Sequence, residues 1–455
     1  MNIRIHRGLE QIGGCITEIS TETSRVFIDM GQNLPGNGEQ TTPEQDKAMV
    51  EGLFTNNPKE HEAVIYTHAH EDHVGLFHDV PNDVPQYIGE GGKEILIAKY
   101  ELIKKGHELE YNVVSPISAY NDSDQHKQIC ERLTKTIDDD KEMIHILNGF
   151  RTWQRTKPHA QPQSFEVGDI RITPFFNCHS VYDSYMFLIE ADGKRIWHTG
   201  DYRAHGYMGK GLIPTLRQYA TDIDVLITEG TMLGRDDECI HEREVSRKMA
   251  GVMDAFKYVV VLASATDIER LASIKEAAKK ARKDLYICSG FMKRTMRIFT
   301  RREAKASKGL FAFHPKYVGY KDTEIPALPT MRKKGFVLIS GVMQQAFVKE
   351  LCEGLDPSEV LFIYSSWDGY YNDPEQVKVN PRYKLFRDAF QNVVDIHTSG
   401  HADRKTIKQV IETVNPKDAI IGIHKDRGQT LESLKLSNEL KNKIINLDYT
   451  DKVLE

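Results

Sequence analysis

His68-Ala69-His70-Glu71-Asp72-His73 follows directly on the apolar run Ala63-Val64-Ile65-Tyr66-Thr67 and sets four metal-capable side chains, His68, His70, Asp72 and His73, within six residues. The run reads as a strand, so the cluster begins where a strand ends and the chain turns, a place where side chains can fold around an ion. Neutral imidazole suits zinc, and a carboxylate tightens such a site and can orient a water for attack. At this histidine content chance yields such a string in roughly one chain in several hundred, so metal binding is preferred to a solvated polar loop. Four local ligands cannot saturate two ions, and three further candidates stand at strand ends: His179 in Asn177-Cys178-His179-Ser180, Asp201 in His198-Thr199-Gly200-Asp201, and His424 in Gly422-Ile423-His424-Lys425. Taken singly, a histidine or aspartate after a strand is most often a satisfied turn residue.

Working outward, short apolar runs alternate with helix-like stretches, the texture of α/β layers. Early strands are expected at 13–19 and 25–29, and a helical insertion at about 99–163, where polar and acidic stretches such as Asp138-Asp139-Asp140-Lys141-Glu142 carry weak helical periodicity. A strand at 169–173 precedes a hairpin from Met186 to His198, whose Asp192-Gly193 pair is a type I′ turn signal and which delivers Asp201. From Asp224 onward, apolar runs at 225–228, 259–262, 285–288, 336–339 and 360–364 alternate with helical segments, as in a parallel α/β domain. Two last strands, 393–396 and 419–423, flank a helix over 404–414.

The 455 residues predict two or three compact units. No apolar run approaches the eighteen or so residues of a membrane span, and the first residues lack the plan of a secretory signal, so a cytoplasmic protein with no membrane partner is expected. Six cysteines without CxxC spacing suit reduced thiols. A net charge of −6 argues against wholesale coating of nucleic acid, leaving local charge to supply any such affinity. The stripe Arg282, Lys283, Lys293, Arg294, Arg297, Arg301, Arg302 and Lys305 could track a phosphate backbone, with Tyr286, Phe291 and Phe299 as stacking surfaces, although basic helix faces are usually just solvated and such aromatics are more often core.

The ordered set His68-x-His70-x-Asp72-His73, His179, Asp201 and His424 resembles the motif series of the metallo-β-lactamase superfamily. The resemblance implies a first ion on His68, His70 and His179, a second on Asp72, His73 and His424, and Asp201 bridging them. More than two hundred residues separate Asp201 from His424, and within them Leu226-Ile227-Thr228-Glu229-Gly230-Thr231 and His397-Thr398-Ser399-Gly400-His401-Ala402 resemble motifs of the β-CASP nucleases, ribonuclease J among them. The fold implied is a metallo-β-lactamase αβ/βα sandwich with an inserted parallel α/β β-CASP domain: 1–207 and 386–455 form the sandwich and 208–385 the insertion. Ser365, Ser366, Ser399 and Gly400 resemble positions that touch a substrate phosphate. The chain departs from ribonuclease J at Ser289-Gly290-Phe291-Met292 and Ser340-Gly341-Val342-Met343-Gln344, in a longer stretch between His73 and His179, and in a short tail after His424 that has no room for that family's extra carboxy-terminal domain.

A carboxylate beside an imidazole can hold it cationic enough to donate a proton, so Glu229 and His401 are read as an acid pair, against the plainer reading of a strand end and a helix cap. The expected activity is hydrolysis of single-stranded RNA, as a 5′-exonuclease, an endonuclease or both, in RNA processing or decay. A hydroxide held between two divalent metals and oriented by Asp72 attacks the phosphate while His401 protonates the departing 3′ oxygen. Zinc is favoured, with manganese the alternative. DNA as substrate, a small-molecule lactonase or thioesterase, and a noncatalytic RNA-binding subunit are the competing readings; a homo-oligomer is allowed.

Overall fold

The structure, a computed structural model, describes residues 1–36, 38–118, 124–155, 161–235, 238–303, 309–319, 325–446 and 452–453. Two seven-stranded sheets lie face to face. The first runs in the order Lys452–Val453, Asn2–Arg7, Ile16–Ser20, Ser24–Ile28, His61–Ile65, Gln86–Ile88, Arg151–Thr152. The second runs Ile444–Ile445, Ala419–Ile423, Val225–Glu229, Lys194–His198, Ser184–Ala191, Ile170–Asn177, Phe165–Val167. Because side chains alternate along a strand, Val225 and Ile227 join Ile5, Val26, Ile65, Ile189 and Ile421 between the sheets, while Leu226 points to the opposite face. That face is covered by the helices Leu212–Tyr219 and Arg404–Val414, and the outer face of the first sheet by Pro43–Thr55 and parts of two long helices, so the layers stack αβ/βα. The hairpin turn forms as expected, with Asp192 and Gly193 both at positive φ.

A third sheet of six strands is parallel throughout, in the order Lys316–Tyr317, Leu285–Ile287, Phe336–Ser340, Tyr258–Leu262, Val360–Tyr364, Asn392–Asp395. Helices cover both of its faces, which is why Val259-Val260-Val261-Leu262 is apolar without alternation. The expected boundaries at 208 and 385 therefore both move. The strand Val225–Glu229 pairs with Lys194–His198 and Ala419–Ile423 in the sandwich, and Asn392–Asp395 pairs with Val360–Tyr364 in the inserted sheet. The inserted domain thus runs from the helix Glu242–Met253 to Asp395.

The helical insertion consists of Glu90–Ser118 and Asp124–Gly149, starting earlier than residue 99. Its first helix also packs on Gly290–Arg302 of the inserted domain, where Glu101 pairs with Arg294, Glu94 with Arg301 and Arg302, and Glu90 with Arg302. Three arginines of the basic stripe are thus spent on an internal contact, while Arg282, Lys283, Lys293 and Arg297 lie outside it. Phe299 and Tyr286 are core residues, and Phe291 packs against the core, so the plainer reading of these aromatics as core holds; Lys305 lies outside the described residues. All six cysteines are unpaired, and no described helix is long and apolar enough to cross a membrane.

Candidate metal centre and acid pair

Every residue of the expected ligand set arrives at the carboxyl end of a strand of one sheet or the other, along a single edge of the sandwich. His68 to His73 follow His61–Ile65, His179 follows Ile170–Asn177, Asp201 follows Lys194–His198, and His424 follows Ala419–Ile423. Glu229 is the last residue of its strand. His401 comes from the segment that returns from the inserted sheet, just before the helix Arg404–Val414.

His70 Nδ1 lies 3.1 Å from His68 Nε2 and 3.2 Å from His179 Nε2. A tetrahedron with metal–nitrogen bonds of about 2.0–2.1 Å has edges of about 3.3 Å, so these nitrogens have the spacing of ligands around one ion. Asp201 Oδ2 sits 3.0 Å from His73 Nε2 and 3.8–3.9 Å from the Nε2 atoms of His68, His179 and His424. That oxygen is buried and makes no directed hydrogen bond. A buried carboxylate oxygen left bare among four imidazoles is costly unless a cation takes it. On the other side, Asp72 Oδ2 is 3.1 Å from His424 Nε2 and 3.8 Å from His73 Nε2. Distances, donor types and the orphaned oxygen all fit a centre able to hold metal.

Four of the five imidazoles are fixed through the remote nitrogen, leaving the other to face the cleft. His179 Nδ1 meets the Gly400 carbonyl at 2.8 Å, His68 Nδ1 the Thr67 hydroxyl at 2.9 Å, His73 Nδ1 the Asp29 carboxylate at 2.8 Å, and His424 Nδ1 the Thr231 hydroxyl at 2.7 Å. Asp29 and His424 both adopt left-handed backbone, at φ 66° and 50°. Such a conformation costs a non-glycine residue about 1–3 kcal/mol and persists only where surrounding bonds enforce it. Here the Asp29 amide donates to Ile65 O and its carboxylate accepts from the Thr67 amide, while the His424 amide donates to Gly8 O. Burial drives the pKa of His68 and His179 far down and that of His70 to about 4, which keeps the three neutral, the form that ligates. Burial would lift the Asp201 carboxyl, but His424, His73 and His401 hold it well below the usual range.

His401 Nδ1 lies 2.9 Å from Glu229 Oε2 and 3.7 Å from Asp201 Oδ2. Glu229 is wholly buried; its Oε1 accepts from the Tyr202 amide at 2.7 Å and its Oε2 from the Thr231 hydroxyl at 2.7 Å. Burial opposes a charged His401, yet Glu229 and Asp201 outweigh it and raise the pKa to about 9. An imidazolium stable at neutral pH, with Nδ1 turned to Glu229, leaves Nε2–H free to donate.

Of the expected phosphate contacts, Ser365 is a correction: its hydroxyl is buried, accepts from Arg270 at 2.8 Å and donates to Ile396 O at 2.7 Å, so the fold has already used it. Ser366 is partly exposed. Ser399 Oγ accepts from the His401 amide at 3.0 Å, and a side chain on Gly400 would strike Ser180; both residues shape the His401 loop.

Asp29 and Thr231 were not singled out from sequence. Thr231 touches Glu229, His401 at 3.2 Å and His424 at once. Thr231→Val should therefore weaken metal affinity by about 10–100-fold, the usual effect of removing a partner behind a ligand. Competition against a chromophoric chelator measures this; unchanged affinity would show that Thr231 does not orient His424.

The chain is 28% identical over 240 residues to an RNase J-like protein of Methanocaldococcus jannaschii, a match covering 50% of this chain and 42% of that protein. It is 21% identical over 418 residues to Ribonuclease J of Sinorhizobium meliloti, covering 88% and 63%. The chain thus spans less than two thirds of the length of these curated relatives. Among solved structures, a protein of unknown function from Enterococcus faecalis V583 matches with a TM-score of 0.67 at 16% identity, covering 100% of this chain and 99% of that one, a likeness of fold. No family model matches the chain.

Proposed function

We propose that this chain is a metal-dependent ribonuclease of the β-CASP branch of the metallo-β-lactamase superfamily, hydrolysing phosphodiester bonds of single-stranded RNA by 5′-exonucleolytic or endonucleolytic cleavage. The observation that carries the reading is the His401–Glu229 pair, held 2.9 Å apart beside the ligand cluster. A hydrolase acting on an ester with a good leaving group has little use for a buried carboxylate that keeps an imidazole charged; the 3′ oxygen of a nucleotide needs a proton as it departs. The resemblance to proteins named for ribonuclease J supports the same substrate class.

His68, His70 and His179 would hold one divalent ion, Asp72, His73 and His424 a second, and Asp201 Oδ2 would serve both. Bound there, the ions supply Lewis acidity that lowers the pKa of a water and takes up charge on the phosphoryl oxygens. Asp72 would also orient the attacking water. Glu229 keeps His401 protonated, and His401 Nε2 passes its proton to the 3′ oxygen, leaving a 3′ hydroxyl on one product and a 5′ phosphate on the other. Imidazole and carboxylate donors suit zinc first and manganese second.

The test is incubation of the purified protein with zinc or manganese on 5′-monophosphorylated single-stranded RNA labelled at either end, with matched DNA and a duplex alongside. Cleavage of the single-stranded RNA, abolished by a chelator and restored by added metal, is expected. Mononucleotides or internal fragments then define the mode. Preparations carrying two ions per chain that leave RNA intact would overturn the reading.

A further inference from the structure

The chain has three tryptophans; Trp153 and Trp197 are buried in the sandwich, and Trp367 is half-buried. Trp367 follows Val360–Tyr364 and Ser365-Ser366 and begins a segment that crosses from the inserted domain to the metal cleft. At its far end, Gln376 donates to Pro35 O at 2.9 Å. The loop containing Pro35 leans on the ligand helix Glu71–Val74: Gln32 N donates to Glu71 O at 3.0 Å, and Gly31 packs so closely on Asp72 O that no side chain would fit. Between these anchors stands Tyr370, whose phenol burial, and then the charge of Asp72, push up. Tyr370 meets Trp367 edge-on at 5.1 Å and stacks on Tyr383 at 4.6 Å.

The opposite wall supplies a cation. Arg235 lies in the turn that begins at Thr231, the residue joining His401 to His424, and its guanidinium lies 5.6 Å from the centre of the Trp367 ring. Arg235 and Trp367 thus form an aromatic and cationic stack, one half from each domain. Planar guanidinium and indole surfaces are what unstacked bases bind to, while a phosphate answers the charge.

We propose that the Arg235–Trp367 stack, backed by Tyr370 and Tyr383, receives a nucleobase of the single strand whose backbone enters the metal cleft. This rests on the nuclease reading. It assigns to the segment 366–383 the task of holding one base beside the reacting phosphate without reading its sequence, since every base has a stacking face. A duplex, whose bases are stacked on one another, cannot supply one.

Binding is measured with the metal-loaded full chain and fluorescently labelled 12-mers carrying nonhydrolysable linkages: oligouridylate, oligodeoxythymidylate, and an abasic oligomer of equal charge. Both base-bearing oligomers are expected to quench tryptophan emission, a signal that Trp367→Phe removes while keeping most of the affinity. Trp367→Ala should weaken both by about five- to hundred-fold and leave the abasic oligomer unchanged. Arg235→Ala should weaken all three. A uniform loss with Trp367→Ala, or none, in a protein that still cleaves RNA would overturn the stack and spare the nuclease reading. Failure of any oligomer to bind the wild-type protein would overturn both. Preference for the uridylate over the thymidylate would place discrimination of RNA from DNA at this segment.

Discussion

Replacing His401 by alanine should slow RNA cleavage by about 10²–10⁴-fold, the range over which a positioned general acid contributes, while the protein still carries its metal. His401 does not belong to the seven expected ligands, and its Nδ1 is committed to Glu229 at 2.9 Å, so its removal leaves the imidazoles around Asp201 in place. The loss should fall on kcat rather than on KM, because the proton is needed only as the 3′ oxygen departs. A substrate whose bridging 3′ oxygen is replaced by sulfur separates this role from general damage. A thiolate leaves without protonation, so wild type and His401→Ala should cleave that substrate at similar rates. Metal content of the variant, measured by mass spectrometry, should match wild type. Equal losses on both substrates would remove His401 from the chemistry.

The second large effect is expected away from the metals. Arg203 is fully buried and binds Asp267 Oδ1 at 2.8 Å and Glu269 Oε2 at 2.9 Å, with Glu242 Oε1 and Ser399 O at 3.5 and 3.4 Å. Arg270 completes the network, binding Glu242 Oε1 at 2.9 Å, Thr398 O at 3.0 Å and His397 Nδ1 at 2.9 Å. The cluster ties the sandwich to the inserted domain and pins the chain just before His401. Arg203→Met would leave buried carboxylates short of a cation, and breaking a buried pair by removing one partner costs about 3–5 kcal/mol.

The sign with pH follows from Asp267. Burial pushes its carboxyl up, but Arg203 and Arg270 more than offset that and hold it below the usual range. Without Arg203 the burial of the carboxyl prevails, and the folded-state pKa rises above the unfolded value. The folded variant then binds more protons than the unfolded chain, so its stability falls as pH rises through that window. Chemical denaturation should show a larger deficit at pH 8 than at pH 5. An equal deficit at both would mean that the lost packing of the long side chain, rather than charge, accounts for the effect.

His68 to His73 could be read directly because the ligands are contiguous and their strand is announced by the run before them. His179, Asp201 and His424 are single residues after strands, and only the resemblance of the whole ordered series to the metallo-β-lactamase motifs joins them to that cluster. Asp29 and Thr231 are different. A carboxylate after one strand and a hydroxyl after another have no pattern of their own, and they matter because folding brings them to the backs of His73 and His424. Ser365 errs the other way: its place after a strand is right, but Arg270, ninety-five residues earlier, takes its hydroxyl.

The sequence by itself determined most of the strands, the turn at Asp192-Gly193 and the cluster His68 to His73 as side chains able to hold metal, because each depends on local periodicity or on residue type at a strand end. Tertiary structure alone decided which sheet each strand enters. Val225–Glu229 reads as well for the inserted domain as for the sandwich, and only pairing with strands at 194–198 and 419–423 settles it. The basic stripe on Gly290–Arg302 was equally undecidable, since Glu90, Glu94 and Glu101 meet it from about two hundred residues away. A charge or an apolar run declares what it can bind; its partner is chosen by the contact that folding closes.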